Sequence, residues 1–119
     1  MDDNRNMLEE EWRPVSGYEG FYEVSNRGSV RSLDRTVICK DGRSYLKKGR
    51  VLKPTASGKG PYYMVSLTKE GSELVKSVHR IVATAFIPNP NSLPVINHKD
   101  ENKLNNCADN LEWCTQQYN

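Results

Sequence analysis

The segment Val95-Ile-Asn-His-Lys-Asp-Glu-Asn-Lys-Leu-Asn-Asn-Cys-Ala-Asp-Asn-Leu-Glu-Trp-Cys-Thr-Gln-Gln-Tyr-Asn119 sets two short apolar runs on either side of a loop rich in amides. It predicts a strand ending at Asn97-His98, a loop stiffened by Asp and Asn side chains that bond their own backbone, a second strand over Leu111 to Cys114, and a helix start at Thr115. One imidazole therefore stands at a strand end, with amide and carboxylate oxygens close by in sequence. Hard oxygen ligands suit Mg²⁺, Mn²⁺ or Ca²⁺, and a neutral imidazole can take a proton from water near pH 7. An amide ligand brings no charge, so such a site would hold its ion weakly and lean on a substrate phosphate. That favours phosphodiester chemistry.

Working upstream, Val78, Ile81, Val82, Ala85 and Phe86 fall at i, i+3, i+4, i+7 and i+8, which predicts one short amphipathic helix. Pro88 and Pro90 stop it, and Asn89 to Pro94 form a turn-rich linker. Before the helix, the turn signals Gly17-Tyr-Glu-Gly20, Asn26-Arg-Gly28, Lys40-Asp-Gly42, Ser57-Gly-Lys-Gly60 and Lys69-Glu-Gly71 punctuate the chain. Strands are predicted over Phe21 to Ser25, Ser29 to Leu33, Thr36 to Cys39, Tyr45 to Leu52, Tyr62 to Leu67 and Glu73 to Val78, several alternating apolar with polar residues. The expected fold class is α+β: an N-terminal antiparallel β-sheet region, one connecting helix and a C-terminal two-strand-and-helix motif. Residues 1–10 read as a polar arm, 11–77 as the β-rich region and 78–119 as the chemistry-bearing part.

A chain of 119 residues is expected to form one domain, or at most two small modules sharing a core. Its hydrophobic content of 36%, its mean hydropathy of -0.75 and the absence of any apolar run approaching ~20 residues argue for a soluble protein with no membrane partner. The acidic, polar start lacks the apolar core of a secretory signal, so a cytoplasmic setting is expected. The net charge of +2 hides an asymmetry. Residues 1–26 hold two basic and seven acidic side chains, residues 27–80 thirteen basic and four acidic, and residues 81–119 two basic and four acidic. A basic middle of this size marks a surface for a polyanion, because clustered Lys and Arg displace counterions from a phosphate backbone. Cys39, Cys107 and Cys114 make an odd count without a C-x-x-C pair, which speaks against disulfides and against structural zinc.

The run from His79-Arg-Ile-Val-Ala-Thr-Ala-Phe86 through Asn97-His-Lys-Asp-Glu-Asn-Lys-Leu-Asn-Asn106 and Asp109-Asn-Leu-Glu-Trp-Cys-Thr115 to Asn119 resembles the HNH endonucleases of phages and intron-encoded homing enzymes. Glu11 to Leu33 looks like the nuclease-associated modular motif that precedes that domain. Together they cover nearly the whole chain. The resemblance implies a ββα-metal site that hydrolyses DNA with one divalent ion, Mg²⁺ or Mn²⁺. It assigns His98 as the general base, Asn110 as the residue orienting the loop that bears it, and Asn97 and Asn119 as the metal ligands. With amides at both ligand positions, weak affinity and a need for millimolar Mg²⁺ or for Mn²⁺ are expected.

The basic middle then acquires a task. Arg27, Arg31, Arg35, Arg43, Lys47, Lys48, Arg50, Lys53 and Lys59 are expected to grip double-stranded DNA from β-hairpins while the C-terminal site cuts. One site per chain predicts a monomer that nicks one strand. Asp100, Asn102, Asn105 and Asn106 read as loop-shaping residues, His79 as a packing or capping residue at the helix start, and Trp113, Trp12, Tyr18 and Tyr22 as core. The alternative expectation is a DNA-binding module with an incomplete HNH site, because the helix after Thr115 is one turn long and neither ligand is acidic.

Overall fold

The computed structural model describes residues 9–56 and 62–116. Lys59 and Asn119, along with most of the polar arm, lie outside them. Among the described residues, three small antiparallel sheets, one α-helix and a hairpin follow in chain order. The first sheet runs β1 (Trp12–Pro14), β2 (Tyr22–Ser25) and β3 (Val30–Ser32). A two-stranded ribbon follows, β4 (Arg35–Ile38) with β5 (Ser44–Lys47). The third sheet is β6 (Thr55–Ala56), β7 (Tyr63–Lys69) and β8 (Ser72–Ser77). Helix α1 (Val78–Phe86) leads to the hairpin of β9 (Val95–His98) and β10 (Leu111–Cys114). The architecture is α+β, with the expected single N-terminal sheet divided into three.

Gly49 is where that division occurs. The strand expected over Tyr45 to Leu52 pairs with β4 only to Lys47. It then crosses to β3, with Ser32 N–H donating to Arg50 O at 2.8 Å, Leu52 N–H to Val30 O at 2.7 Å, and Gly49 N–H to Asp34 Oδ1 at 2.6 Å. A Cβ at position 49 would collide with the Ser32 carbonyl oxygen, so this crossing requires glycine. The short strands β1 and β6 carry no alternating pattern to announce them. They form by pairing with β2 and β7.

One core joins the sheets, the helix and the hairpin. Val24, Val30, Val65 and Leu67 from the sheets pack with Val78, Ile81, Val82 and Ala83 of α1 and with Ile96 and Leu111 of the hairpin. Burying each larger aliphatic chain stabilises the fold by about 1.5–3 kcal/mol before chain entropy is set against it. Val78, Ile81 and Val82 fall on the stripe their spacing predicts, Ala83 is buried beside them, and Ala85 and Phe86 are half-buried. Tyr18 and Tyr22 meet edge-to-face at 5.8 Å between ring centroids, and Tyr22 Oη accepts from Thr68 N–H at 2.9 Å, tying the first sheet to the third. Trp113 packs partly buried against the core and donates Nε1–H to Ile87 O at 3.0 Å. Trp12 is half-buried, with the Arg31 guanidinium 3.9 Å from its ring centroid.

Candidate active site

The register of the terminal hairpin builds the site. His98 pairs with Leu111 and Asn97 with Glu112, and because successive residues of a strand face opposite ways, Ile96 and His98 turn inward while Asn97 and Glu112 share the outer face. His98 is 3% exposed. Its Nε2 lies 2.9 Å from Asn106 Oδ1. An amide oxygen only accepts, so Nε2 carries the hydrogen and the basic lone pair resides on Nδ1. Asn106 thereby leaves Nδ1 as the ring nitrogen able to accept a proton.

The loop from Lys99 to Asn110 is held by its own side chains. Asn110 Oδ1 accepts from Asp100 N–H at 3.1 Å, and Asn110 Nδ2 donates to Asp100 Oδ1 at 3.0 Å and to Asn105 O at 2.9 Å. Lys99 N–H reaches Asn110 O at 2.8 Å. Asp100 also receives Asn105 Nδ2–H at 2.8 Å and Asn102 N–H at 2.8 Å. The Asn105 amide first, then the Asn102 N–H and the Asn110 amide, hold the Asp100 carboxyl below its ordinary range. Such a mesh fixes where His98 ends and the loop begins.

Two regions distant in sequence close around the imidazole. Tyr62 stacks on His79 at 4.7 Å between centroids, and the His98 ring lies 5.9 Å from Tyr62 and 5.3 Å from His79. His79 Nδ1 is buried without a hydrogen-bond partner among the described residues, and burial, then the charges of His98 and Arg80, push the His79 imidazole down to about 4. From the other side, the turn at Asn26-Arg27-Gly28 buttresses Asn106. Gly28 has φ +93°, and a Cβ there would come 3.0 Å from the Asn106 carbonyl oxygen, so this approach needs glycine. Ala108 N–H donates to Asn26 O at 2.7 Å.

Asn97 is half-buried and donates Nδ2–H to Glu112 Oε2 at 2.9 Å. The basic residues divide. Arg35, Lys47, Lys48 and Arg50 line a cavity of about 280 Å³ between the ribbon and the third sheet, and Lys53 lines the next hollow beside Arg50. Arg31 is engaged within the fold, 2.6 Å from Glu23 Oε1 and over the Trp12 ring. Arg43 pairs with Asp41 at 2.9 Å beside the ribbon's turn, and Lys48 approaches Asp34 at 3.9 Å. Arg27 stands apart, exposed on the turn against the His98 loop.

Asn106, His79, Tyr62 and Glu112 surround the expected site without having been assigned chemistry in it. Glu112 was legible in principle, because pairing the two predicted strands sets it opposite Asn97. Tyr62 and His79 were not, since nothing local to them signals a neighbour at residue 98.

Residues 10–68 match the NUMOD4 motif, and residues 76–119 match the HNH endonuclease family. The DNA endonuclease I-HmuI of Bacillus phage SP01 is 38% identical over 109 residues, covering 92% of this chain and 55% of that protein. An uncharacterized HNH endonuclease of Acanthamoeba polyphaga mimivirus is 38% identical over 108 residues, 91% of this chain and 28% of the relative. The chain thus spans about half or less of the length of these relatives. A solved structure of DNA binding and cleavage by the HNH homing endonuclease I-HmuI superposes with a TM-score of 0.68 at 38% identity, over 91% of this chain and 54% of the other. With the two matches lying in tandem along nearly all of its length, the chain belongs to the HNH endonuclease family and carries a NUMOD4 motif ahead of the HNH domain.

Proposed function

We propose that this chain hydrolyses phosphodiester bonds of double-stranded DNA in the cytoplasm, as a monomer that nicks one strand with the help of a divalent ion. The observation that carries this reading is the state of His98. It is buried at a strand end and its Nε2 faces the Asn106 Oδ1 acceptor, so Nδ1 is the ring nitrogen left to take a proton. Nδ1 takes a proton from water, the resulting hydroxide attacks phosphorus in line, and the 3′ oxygen departs. Asn110 keeps the loop, and with it the imidazole, in place while this happens.

Asn97, with Asn119 outside the described residues, would hold Mg²⁺ or Mn²⁺. The donor chemistry fits such an ion: the Asn97 amide is turned so that Nδ2 faces Glu112, which leaves an amide oxygen rather than an N–H for a cation. When bound, the ion would offset negative charge on the phosphate and the leaving oxygen. Arg35, Lys47, Lys48, Arg50 and Lys53 gather along one side of the ribbon and third sheet, which supports a grip on the phosphate backbone.

Supercoiled plasmid with Mg²⁺ or Mn²⁺ tests the reading. The intact protein should convert it to the nicked circle, and His98→Ala should lower the rate by on the order of 10²–10⁴ while still retaining DNA at low salt. Undiminished nicking by His98→Ala would overturn the assignment of the base. DNA retention without nicking by either protein would favour a binding module instead.

A further inference from the structure

We propose that Glu112 is a positioning residue for the divalent ion, fixing the orientation of the Asn97 amide and placing a negative charge one hydrogen bond behind a neutral ligand. This rests on the reading of Asn97 as a ligand given above. An amide has two chemically opposite ends of nearly the same shape. A cation requires Oδ1, and an unrestrained side chain can flip to present N–H groups instead. Glu112 lies directly across the hairpin from Asn97, and its Oε2 is 2.9 Å from Asn97 Nδ2. An ionised carboxylate accepts but does not donate, so it holds Nδ2 and leaves Oδ1 at the other end of the amide.

The same bond alters the electronics of the ligand. A carboxylate on the N–H side draws positive charge towards itself and leaves Oδ1 more negative, and a charge-assisted bond does this more strongly than a neutral one. Asp100, the acidic side chain that organises the neighbouring loop, cannot serve in its place, because it is taken up by Asn102, Asn105 and Asn110. Hydrogen-bond partners that orient metal ligands typically change metal affinity 10–100-fold when removed. A merely structural cross-strand pair would contribute to hairpin stability and leave metal affinity unchanged.

Mn²⁺ affinity of the full chain, read by electron paramagnetic resonance of the free ion alongside thermal unfolding, separates these roles. Glu112→Gln keeps the side-chain length and an acceptor oxygen but loses the charge, and should weaken Mn²⁺ binding about 10-fold with little change in Tm. Adding Asn97→Asp to Glu112→Gln moves the charge onto the ligand itself and should restore the affinity. An unchanged Mn²⁺ affinity in Glu112→Gln, with affinity lost in Asn97→Ala, would overturn this inference and leave the ligand assignment standing. Mn²⁺ binding unchanged in Asn97→Ala would overturn both. Should Glu112→Gln lower Tm, restored affinity in the double variant at that same Tm supports the inference, and affinity as weak as in the single variant overturns it.

Discussion

The loop between Lys99 and Asn110 and the ribbon of β4 and β5 are both polar, turn-bearing segments of similar length, and they are held in opposite ways. In the loop, Asn110, Asp100, Asn105 and Asn106 spend their side chains on one another, on the backbone and on His98, and Asn106 and Asn110 are buried. In the ribbon, Ile38, Tyr45 and Leu46 are exposed, every residue of β5 is open to solvent, and the strands leave the body at Asp34 and Gly49. The support of His98 is built of short, mutually satisfied bonds, which suits the proposed role of a base that must be held within a fraction of an ångström of its target. A surface that follows a flexible polyanion needs reach and charge more than rigidity, and it can remain open until the partner covers it.

The contrast can be broken most forcefully at Asn110. Asn110→Ala removes three hydrogen bonds, orphans Asp100 N–H and Asn105 O, and should lower unfolding free energy by about 3 kcal/mol as well as nicking. Urea denaturation checks it, and a decrease below about 0.5 kcal/mol would mean the loop stands without this residue.

The opposite pattern is expected on the ribbon. Arg35→Gln with Lys47→Gln should leave stability within about 0.5 kcal/mol, because both side chains border solvent, while weakening DNA binding. The plot of log affinity against log salt should flatten by roughly 1 for each phosphate that is no longer neutralised. An unchanged slope would place the DNA elsewhere.

The smallest effect concerns the ring beside His98. His79 has its pKa lowered to about 4 by burial, so between its ordinary 6.5 and about 4 the unfolded chain binds a proton that the folded chain does not. Stability should therefore fall as pH drops through that window. His79→Phe keeps an aromatic ring against Tyr62 and should make Tm less sensitive to pH between 6.5 and 4. An identical pH profile in the variant would show that His79 does not carry this dependence.

Legibility varied with the range of the cause. The stripe Val78, Ile81, Val82 marked α1, although Val78 was also read as the end of the preceding strand, and the two apolar runs flanking the amide loop gave β9 and β10, because burial of one face imprints a period on the chain. Asn110 as a loop organiser followed from residue type and from the family resemblance, and its bonds to Asp100 and Asn105 are local in sequence. The end of β5 at Lys47 was hidden, since Gly49 lies inside the run read as one strand, Tyr45 to Leu52, until Ser32 is seen against it.

The chain alone determined the kinds of element, their order, the charge asymmetry and the identity of His98 as the residue of chemical interest. All of these depend on side-chain type and near-neighbour spacing. Tertiary structure decided what surrounds that histidine: Gly28 against Asn106, and Tyr62 and His79 beside the ring. Those neighbours come from segments far apart along the chain and meet only because a single core of valine, leucine and isoleucine draws the sheets, helix and hairpin together. Burial fixes that core by area and shape, which no local period encodes.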